Sequence, residues 1–517
     1  MKKIVAIFLF GSQVLFGQNI SSEQIDSLVK VSMEMMPQAG LAVAIVKDGK
    51  VVHAKGYGVS SVKTKEKVDE NTLFCIASNS KSFTATALGI LVDEGKLKWT
   101  DKVIDYLPEF KMYDPYLTAN FNIQDLLTHR SGLGLGAGDL MWFPDGNDFT
   151  INEVLANFQY QKPITAFRTG YAYNNLMFIA AGELVARISG MPWSEFVETR
   201  IMKPLGMTRT AGLYKNLKDD SNVAFPHNSE HGKVVQLAKY EMHEKDGSAA
   251  GIVSSVNDMT KWLMLNLNDG KYGENLENQL VSTKSLSEIK RPHINQRFNA
   301  KPNDPTKNHY RAYGLGWGIK DINGYTVFSH TGGLPGMLSH TILVPEINFG
   351  LVVLTNASPG GLGLVTIPNE ILESYTGVEG RNWVAWADSR IKNDEAEADS
   401  VLDYVWDVVA KANKKDINID DYIGTYKDKW FGDITIEREK KKLIFTSIRS
   451  PKLTGEMMYY QDNTFAIKWK YDDMECSTFA HFTMGNDDGA TTIKMEGISP
   501  DIDFSFDFHH LYFIKIK

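Results

Sequence analysis

Cysteine is nearly absent: the 517 residues hold two, Cys75 and Cys476, about 400 positions apart. One possible pair cannot form a disulfide framework, so the fold must rest on a packed core. Cys75 lies in the apolar run Leu73-Phe74-Cys75-Ile76-Ala77 and reads as a buried small hydrophobe. An excess of positive charge is also missing. With 55 basic against 63 acidic side chains the formal charge is −8, which removes the clustered basic footprint of a nucleic-acid binder. The one basic run, Lys440-Lys441-Lys442, follows Glu437 and Glu439 and reads as a solvated turn. After the first residues no apolar run approaches the ~20 needed to span a bilayer. There is no internal repeat. What is present is ordinary globular composition, 43% hydrophobic and 11% aromatic, long enough for two to four domains at ~100–200 residues each.

Lys2 and Lys3 precede an apolar stretch, Ile4 to Phe10, that resumes at Val14-Leu15-Phe16 and ends at Gly17. A short positive region, a brief apolar core and a small residue read as a cleavable secretory signal over residues 1–17. Interrupted by Gly11-Ser12-Gln13, the stretch is too short for a retained anchor, and no cysteine follows it to carry a lipid. Losing Lys2 and Lys3 takes the formal charge to −10. The expectation is a periplasmic or secreted protein with no integral membrane segment in its mature form.

Ile25, Leu28, Val29, Val31 and Met33 give helical spacing over 21–36, and two β-rich runs around Asp48-Gly49 predict a hairpin over 41–58. Helices are expected over 79–95 and 175–190, each stopped by glycine. Strands return at Tyr313 to Ile319, Tyr325 to Phe328, Ser339 to Val344 and Gly350 to Thr355. Strands at both ends with helices between imply an α+β sheet assembled from distant parts of the chain. A charged stretch over 380–420 reads as a helical linker. The short alternating runs from Tyr422 onward, such as Asp433 to Glu437 and Lys442 to Thr446, suggest a small all-β sheet or barrel.

Ser78-Asn79-Ser80-Lys81 stands where an apolar run meets a helix, and residues three apart share a helical face. Free N–H groups and the positive dipole end of a helix N-terminus suit an oxyanion, and a lysine one turn away can take a serine proton. Tyr173-Asn174-Asn175 precedes the next helix; a tyrosine beside a lysine can act as base or acid if that charge lowers its pKa. His330-Thr331-Gly332-Gly333 closes the strand 325–329. Its glycines allow close backbone approach and a second oxyanion donor.

In this order, Ser-x-x-Lys, Tyr-x-Asn and His-Thr-Gly resemble the motifs of serine hydrolases of the class C β-lactamase and penicillin-binding-protein family. Leu126-Leu127-Thr128-His129-Arg130-Ser131-Gly132-Leu133, Phe167 to Gly170, Ala250 to Ser255, and Tyr313-Gly314-Leu315-Gly316-Trp317-Gly318 are similar to its supporting segments. The resemblance covers about 22–375. It implies an antiparallel sheet flanked by helices, with an all-helical lobe, over 18–379; the composition and strand patterning described above place the linker at 380–420 and a barrel-like domain over 421–517. It also implies that Ser78 is acylated, that Lys81 accepts its proton, and that Tyr173 assists acylation and activates water for deacylation. Asn175 would orient the substrate amide and Lys81, with the N–H groups of Ser78 and Gly333 as the oxyanion hole and His330, Thr331 and Gly332 on the substrate. No cofactor and no metal is implied, and the partner is a small-molecule or peptide substrate. His330 departs from the lysine of lactamases; an ordinary histidine, pKa near ~6.5, is mostly neutral at pH 7. That directs attention to D-amino-acid peptides and small esters as much as to β-lactams. The competing class is a penicillin sensor or envelope scaffold that keeps the fold without turnover.

Other features read as structural. His227 and His231 are four apart, but Pro226 and Gly232 argue against a helix that would present both to a metal. His509 and His510, adjacent in a strand-like run, would face opposite ways. Gly360-Gly361-Leu362-Gly363 lacks the spacing of a phosphate loop. His129 reads as a residue that holds its own loop. Trp430, Phe431, Phe504, Phe506 and Phe508 read as core. Specificity is expected in loops 134–150, 215–245 and 290–310.

Overall fold

The computed structural model describes residues 19–298, 307–358, 362–378, 382–412 and 417–517, apart from 472, 475, 487 and 488. Residues 1–17, expected to be a secretory signal, lie outside the described residues, as do Gly360 and Gly361.

Helix α1 (Ser22–Met35) begins with a capping box between Ser21 and Gln24. It leads into β1 (Gly40–Lys47) and β2 (Lys50–Gly58), joined at Asp48 and Gly49, both at positive φ. The sheet is completed far along the chain by β3 (Ile294–Asn295), β4 (Arg311–Tyr313), β5 (Gly318–Ile322), β6 (Tyr325–Leu334), β7 (Met337–Val344) and β8 (Phe349–Thr355). Its eight strands run in the order β2-β1-β8-β7-β6-β5-β4-β3, and the paired strands are antiparallel.

Leu41, Val43 and Ile45 of β1 pack with Ile25 and Val29 of α1 and with Ile367 and Ile371 of α6 (Leu362–Thr376). The alternate residues Ala42, Ala44 and Val46 face the other way, into the core that holds Leu263 of α5 (Val256–Leu267). A strand covered on both faces has no polar side, which is why β1 is a continuous apolar run. Beyond α5 lies the helical lobe with α2 (Ser80–Asp93), α3 (Asn175–Ser189) and α4 (Glu244–Ala250). Twelve of the fourteen residues of α2 are buried; it is the central helix of the lobe.

Two expectations are corrected here. The run Tyr313 to Ile319 is not one strand: Gly314, Leu315, Gly316 and Trp317 turn the chain between β4 and β5, with Gly316 at φ +77°. Strand β6 continues through Leu334, so Gly332 and Gly333 lie inside it, paired with Ser339 and Leu338.

The stretch after 380 forms one thirty-residue helix, α7 (Trp383–Ala412), about 45 Å long at 1.5 Å per residue. Its start packs Val384 and Ala387 on Met36, and its end packs Val405 and Val409 on Ala466 and Ile498. It therefore bridges the sheet domain and a closed eight-stranded barrel that runs from Gly424–Asp428 to Tyr512–Lys515. Among the described residues no helix is long and apolar enough to cross a membrane. Cys75 is a free thiol, and burial pushes it up to about 11.

Candidate active site

The short strand Phe74–Cys75 pairs with Val253–Ser254 and delivers the chain to a single 3₁₀ turn, Ala77–Asn79. Ala77 is fully buried at φ +46°, a left-handed conformation that a β-carbon disfavours. That kink sets Ser78 at the mouth of α2. Ser339 Oγ donates to the Ile76 carbonyl at 2.6 Å and accepts from Asn79 Nδ2 at 2.7 Å, tying the turn to β7. Gly332 is needed beneath it: a β-carbon there would overlap the Ile76 carbonyl and stand 2.8 Å from the Ser78 nitrogen.

Lys81, the second residue of α2 and three positions on from Ser78, is fully buried. Its Nζ lies 2.9 Å from Ser78 Oγ, 2.8 Å from Asn175 Oδ1 and 2.9 Å from the Ala249 carbonyl. Burial pushes the ammonium down to about 7, against the attraction of Asp139. In the neutral amine, two N–H bonds go to Asn175 and Ala249, and the lone pair is left for the Ser78 hydroxyl. Ser80 is turned elsewhere, its Oγ accepting the Ile252 N–H at 3.1 Å.

Asn174 caps α3 by accepting the Met177 N–H, which places Asn175 on the first turn facing Lys81. Asn175 Nδ2 donates to Asp139 Oδ2 at 2.7 Å, so the amide cannot flip without losing both partners. Asp139 is fully buried and its carboxyl is pushed up to about 8 by that burial.

Tyr173 is hydrogen-bonded to Ser78, and its ring centroid is 5.0 Å from Lys81 Nζ. The expected fall in its pKa does not occur. Burial raises the phenol well above its ordinary value and outweighs the serine contact, so the group stays protonated. His129, at φ +54°, accepts the Asn174 N–H on Nδ1 at 3.1 Å and stacks 4.1 Å from the Tyr173 ring. Burial holds it well below the ordinary histidine value. It holds its loop, as the sequence suggests.

His330 donates from Nδ1 to the Thr331 carbonyl at 2.6 Å, and its Nε2 takes the Tyr313 hydroxyl at 2.8 Å. Burial, aided by Lys81, pushes it down to about 3. It is a neutral, saturated ring across the working pH range, which removes the option of a histidine that charges to bind a carboxylate.

Ser78, Tyr173, Asn175, His330, Thr331 and Gly333 together line one cleft of ≈ 380 Å³, with Tyr171 and Tyr313 among its walls. Trp142 and Gln296 come from two of the three loops expected to set specificity; the described residues of 215–245 contribute none. The unexpected contributors are Asp503, Phe504 and Ser505, from the barrel. Phe504 is not core: it is 37% exposed and meets the Tyr173 ring edge-on at 5.8 Å. Gly136, at φ +66°, admits its backbone; a β-carbon there would lie 2.5 Å from the Phe504 carbonyl. Asp507 Oδ2 accepts the Gly138 N–H at 2.5 Å, Phe506 packs on Phe143 at 4.8 Å, and Arg449 pairs with Asp148 at 2.6 Å and Glu153 at 2.8 Å.

Three further histidines are placed as follows. His227 is buried, with its ring nitrogens on the Asn356 carbonyl and the Val62 N–H. His509 and His510 do not alternate on a strand. They occupy the 3₁₀ turn Phe508–His510, their rings 4.2 Å apart beside Asp507. Asp507 is already engaged by Gly138 and by a close hydrogen bond with His510, which accounts for the group without an ion.

Residues 25–372 match the model of the family described as Beta-lactamase, about two thirds of the chain. The chain belongs to the Beta-lactamase family. Residues 410–515 match DUF3471, a domain of unknown function, and cover the barrel. Among curated proteins, the chain is 26% identical over 364 residues to the unguisins hydrolase ungD of Aspergillus violaceofuscus, covering 67% of this chain and 63% of that protein. It is 29% identical over 343 residues to protein flp of Staphylococcus aureus, covering 65% and 64%. The matches thus span less than two thirds of those relatives' own length. The structure of an octameric penicillin-binding protein homologue from Pyrococcus abyssi has the same fold, with a TM-score of 0.58 at 19% identity, over 95% of this chain and 99% of that one.

Proposed function

We propose that the protein is a serine hydrolase that cleaves an ester or amide through an acyl-enzyme on Ser78. The observation that carries this reading is the Lys81 amine: buried, low in pKa, and 2.9 Å from Ser78 Oγ with its other two contacts already made. Lys81 takes the Ser78 proton as Oγ attacks the acyl carbonyl. The developing oxyanion is held by the N–H groups of Ser78 and Gly333. Tyr173, protonated and on Ser78 Oγ, donates to the leaving group and so passes the proton from Lys81 outward. Water then enters, is deprotonated through the same pair, and releases the acid. Asn175 holds the amine in register, Asp139 holds Asn175, and Tyr313 with His330 shapes the wall opposite.

Membership of the Beta-lactamase family supports hydrolysis at the level of the family, while the substrate class is the present reading. The aromatic walls Tyr171, Tyr173, Tyr313, Trp142 and Phe504 suit a small acyl group with apolar surface. The test is a panel of nitrocefin, short p-nitrophenyl esters and D-amino-acid amides with purified protein. Steady turnover of one class that is lost in Ser78→Ala supports the reading. A stoichiometric burst without turnover supports a sensor instead.

A further inference from the structure

Of the described residues that line the cleft, Asp503 is the one acidic side chain. No lysine or arginine is among them, and His330 has both ring nitrogens occupied as a neutral group. Lys81 reaches Ser78 from behind the cleft wall, buried and with contacts on Asn175 and Ala249, so a substrate carboxylate meets no cation in the lining and one acidic side chain, whereas an ammonium finds a partner.

The carboxylate is held in place by its own turn. Asp503 Oδ1 accepts the Ser505 N–H at 2.8 Å, and the Asp503 carbonyl accepts the Phe506 N–H at 3.0 Å. The contacts of Phe504 with Tyr173, Phe506 with Phe143 and Asp507 with Gly138 seat the segment on the sheet domain. Asp503 thus immediately precedes a residue that touches Tyr173, which itself bonds Ser78.

We propose that the C-terminal barrel is a specificity element, whose Asp503 makes the cleft prefer acyl donors bearing a free ammonium group over neutral ones and disfavour those bearing a carboxylate. This rests on the acyl-enzyme reading above. The domain of unknown function thereby supplies the charged wall of a site whose reactive groups belong to the other domain.

The test uses the full chain and alanine p-nitroanilide, in both enantiomers, as the free amine, the N-acetyl form and the N-succinyl form. The expected order of kcat/KM is free amine, acetyl, succinyl, with roughly two- to fivefold per step, the range for one exposed charge pair. The order should compress as salt rises, because exposed charges are screened. Asp503→Asn keeps the acceptor for the Ser505 N–H and should bring the ratios close to one; Asp503→Lys should invert them; Asp503→Glu should restore them in part. Equal kcat/KM for the three forms, or an unchanged preference in Asp503→Asn, overturns the role of Asp503 while Ser78-dependent turnover stands. Turnover that survives Ser78→Ala overturns the acyl-enzyme reading, and this proposal with it.

Discussion

The Phe504 ring meets Tyr173 edge-on with centroids 5.8 Å apart, so a residue of the barrel touches one that is hydrogen-bonded to Ser78. The two domains therefore meet at the cleft itself. A chain ending at Ala412 should lose stability, because Phe143 loses Phe506 and the Gly138 N–H loses Asp507. Thermal unfolding of the truncated and full chains checks this; equal midpoints would show the interface to be passive.

Phe504→Ala separates the cleft wall from the fold. Phe504 is 37% exposed, so its loss should cost about 1 kcal/mol or less. KM for a small ester should rise severalfold with kcat nearly unchanged, as expected for lost ground-state contact. Steady-state kinetics beside a melting curve reads both.

The pH dependence follows from Lys81. Its pKa is depressed to about 7, so the neutral amine that takes a proton accumulates as pH rises through that value. The kcat/KM profile should therefore climb with an apparent pKa near 7 that belongs to Lys81 coupled with Asp139. His330, at about 3, should add no inflection near ~6.5. A profile flat from pH 5.5 to 8.5 would contradict a lysine base.

Much of the fold and site is legible in sequence because the signals are local. Helix spacing, the Asp48-Gly49 turn and the glycine stops at Gly95 and Gly190 depend on near neighbours. So does the Ser78–Lys81 offset, since residues three apart meet on any helix. Four features depend instead on burial or on contacts between distant segments. Proximity to Lys81 predicts an easily lost proton on Tyr173; desolvation outweighs the charge. Sequence alone puts His330 near its ordinary value, but Tyr313, 17 positions away, and the cleft wall close around it. Asp139 has no motif, and only the folded lobe brings it to Asn175. Phe504 looks like its neighbours Phe506 and Phe508 by alternation, but the segment is a loop rather than a strand, so period two does not assign its face.

Asp139 acts by positioning. Asp139→Asn keeps an acceptor for Asn175 Nδ2 and should retain most activity, with the acid limb of the pH profile moved. Asp139→Ala frees Asn175 to rotate away from Lys81 and should lower kcat by roughly tenfold or more with KM little changed. Comparing the two variants across pH distinguishes this from a purely structural role, which would leave the limb of Asp139→Asn where it was.

Tyr173→Phe removes the hydroxyl beside Ser78 and should lower kcat by about 10²–10⁴, the usual weight of a positioned acid or base. The loss should be smaller for an ester with a good leaving group, which needs less protonation, than for an amide. Equal losses on both would place Tyr173 in deacylation rather than at the leaving group.

The most direct measurement is covalent labelling followed by peptide mass mapping. A fluorophosphonate added to the full chain should modify Ser78 once per molecule, and Lys81→Ala should slow labelling by several powers of ten. Ser78→Ala should abolish it, and Ser80→Ala, whose hydroxyl faces Ile252, should leave it close to the native rate. Label recovered on Ser80, or labelling at the native rate in Lys81→Ala, would contradict the mechanism.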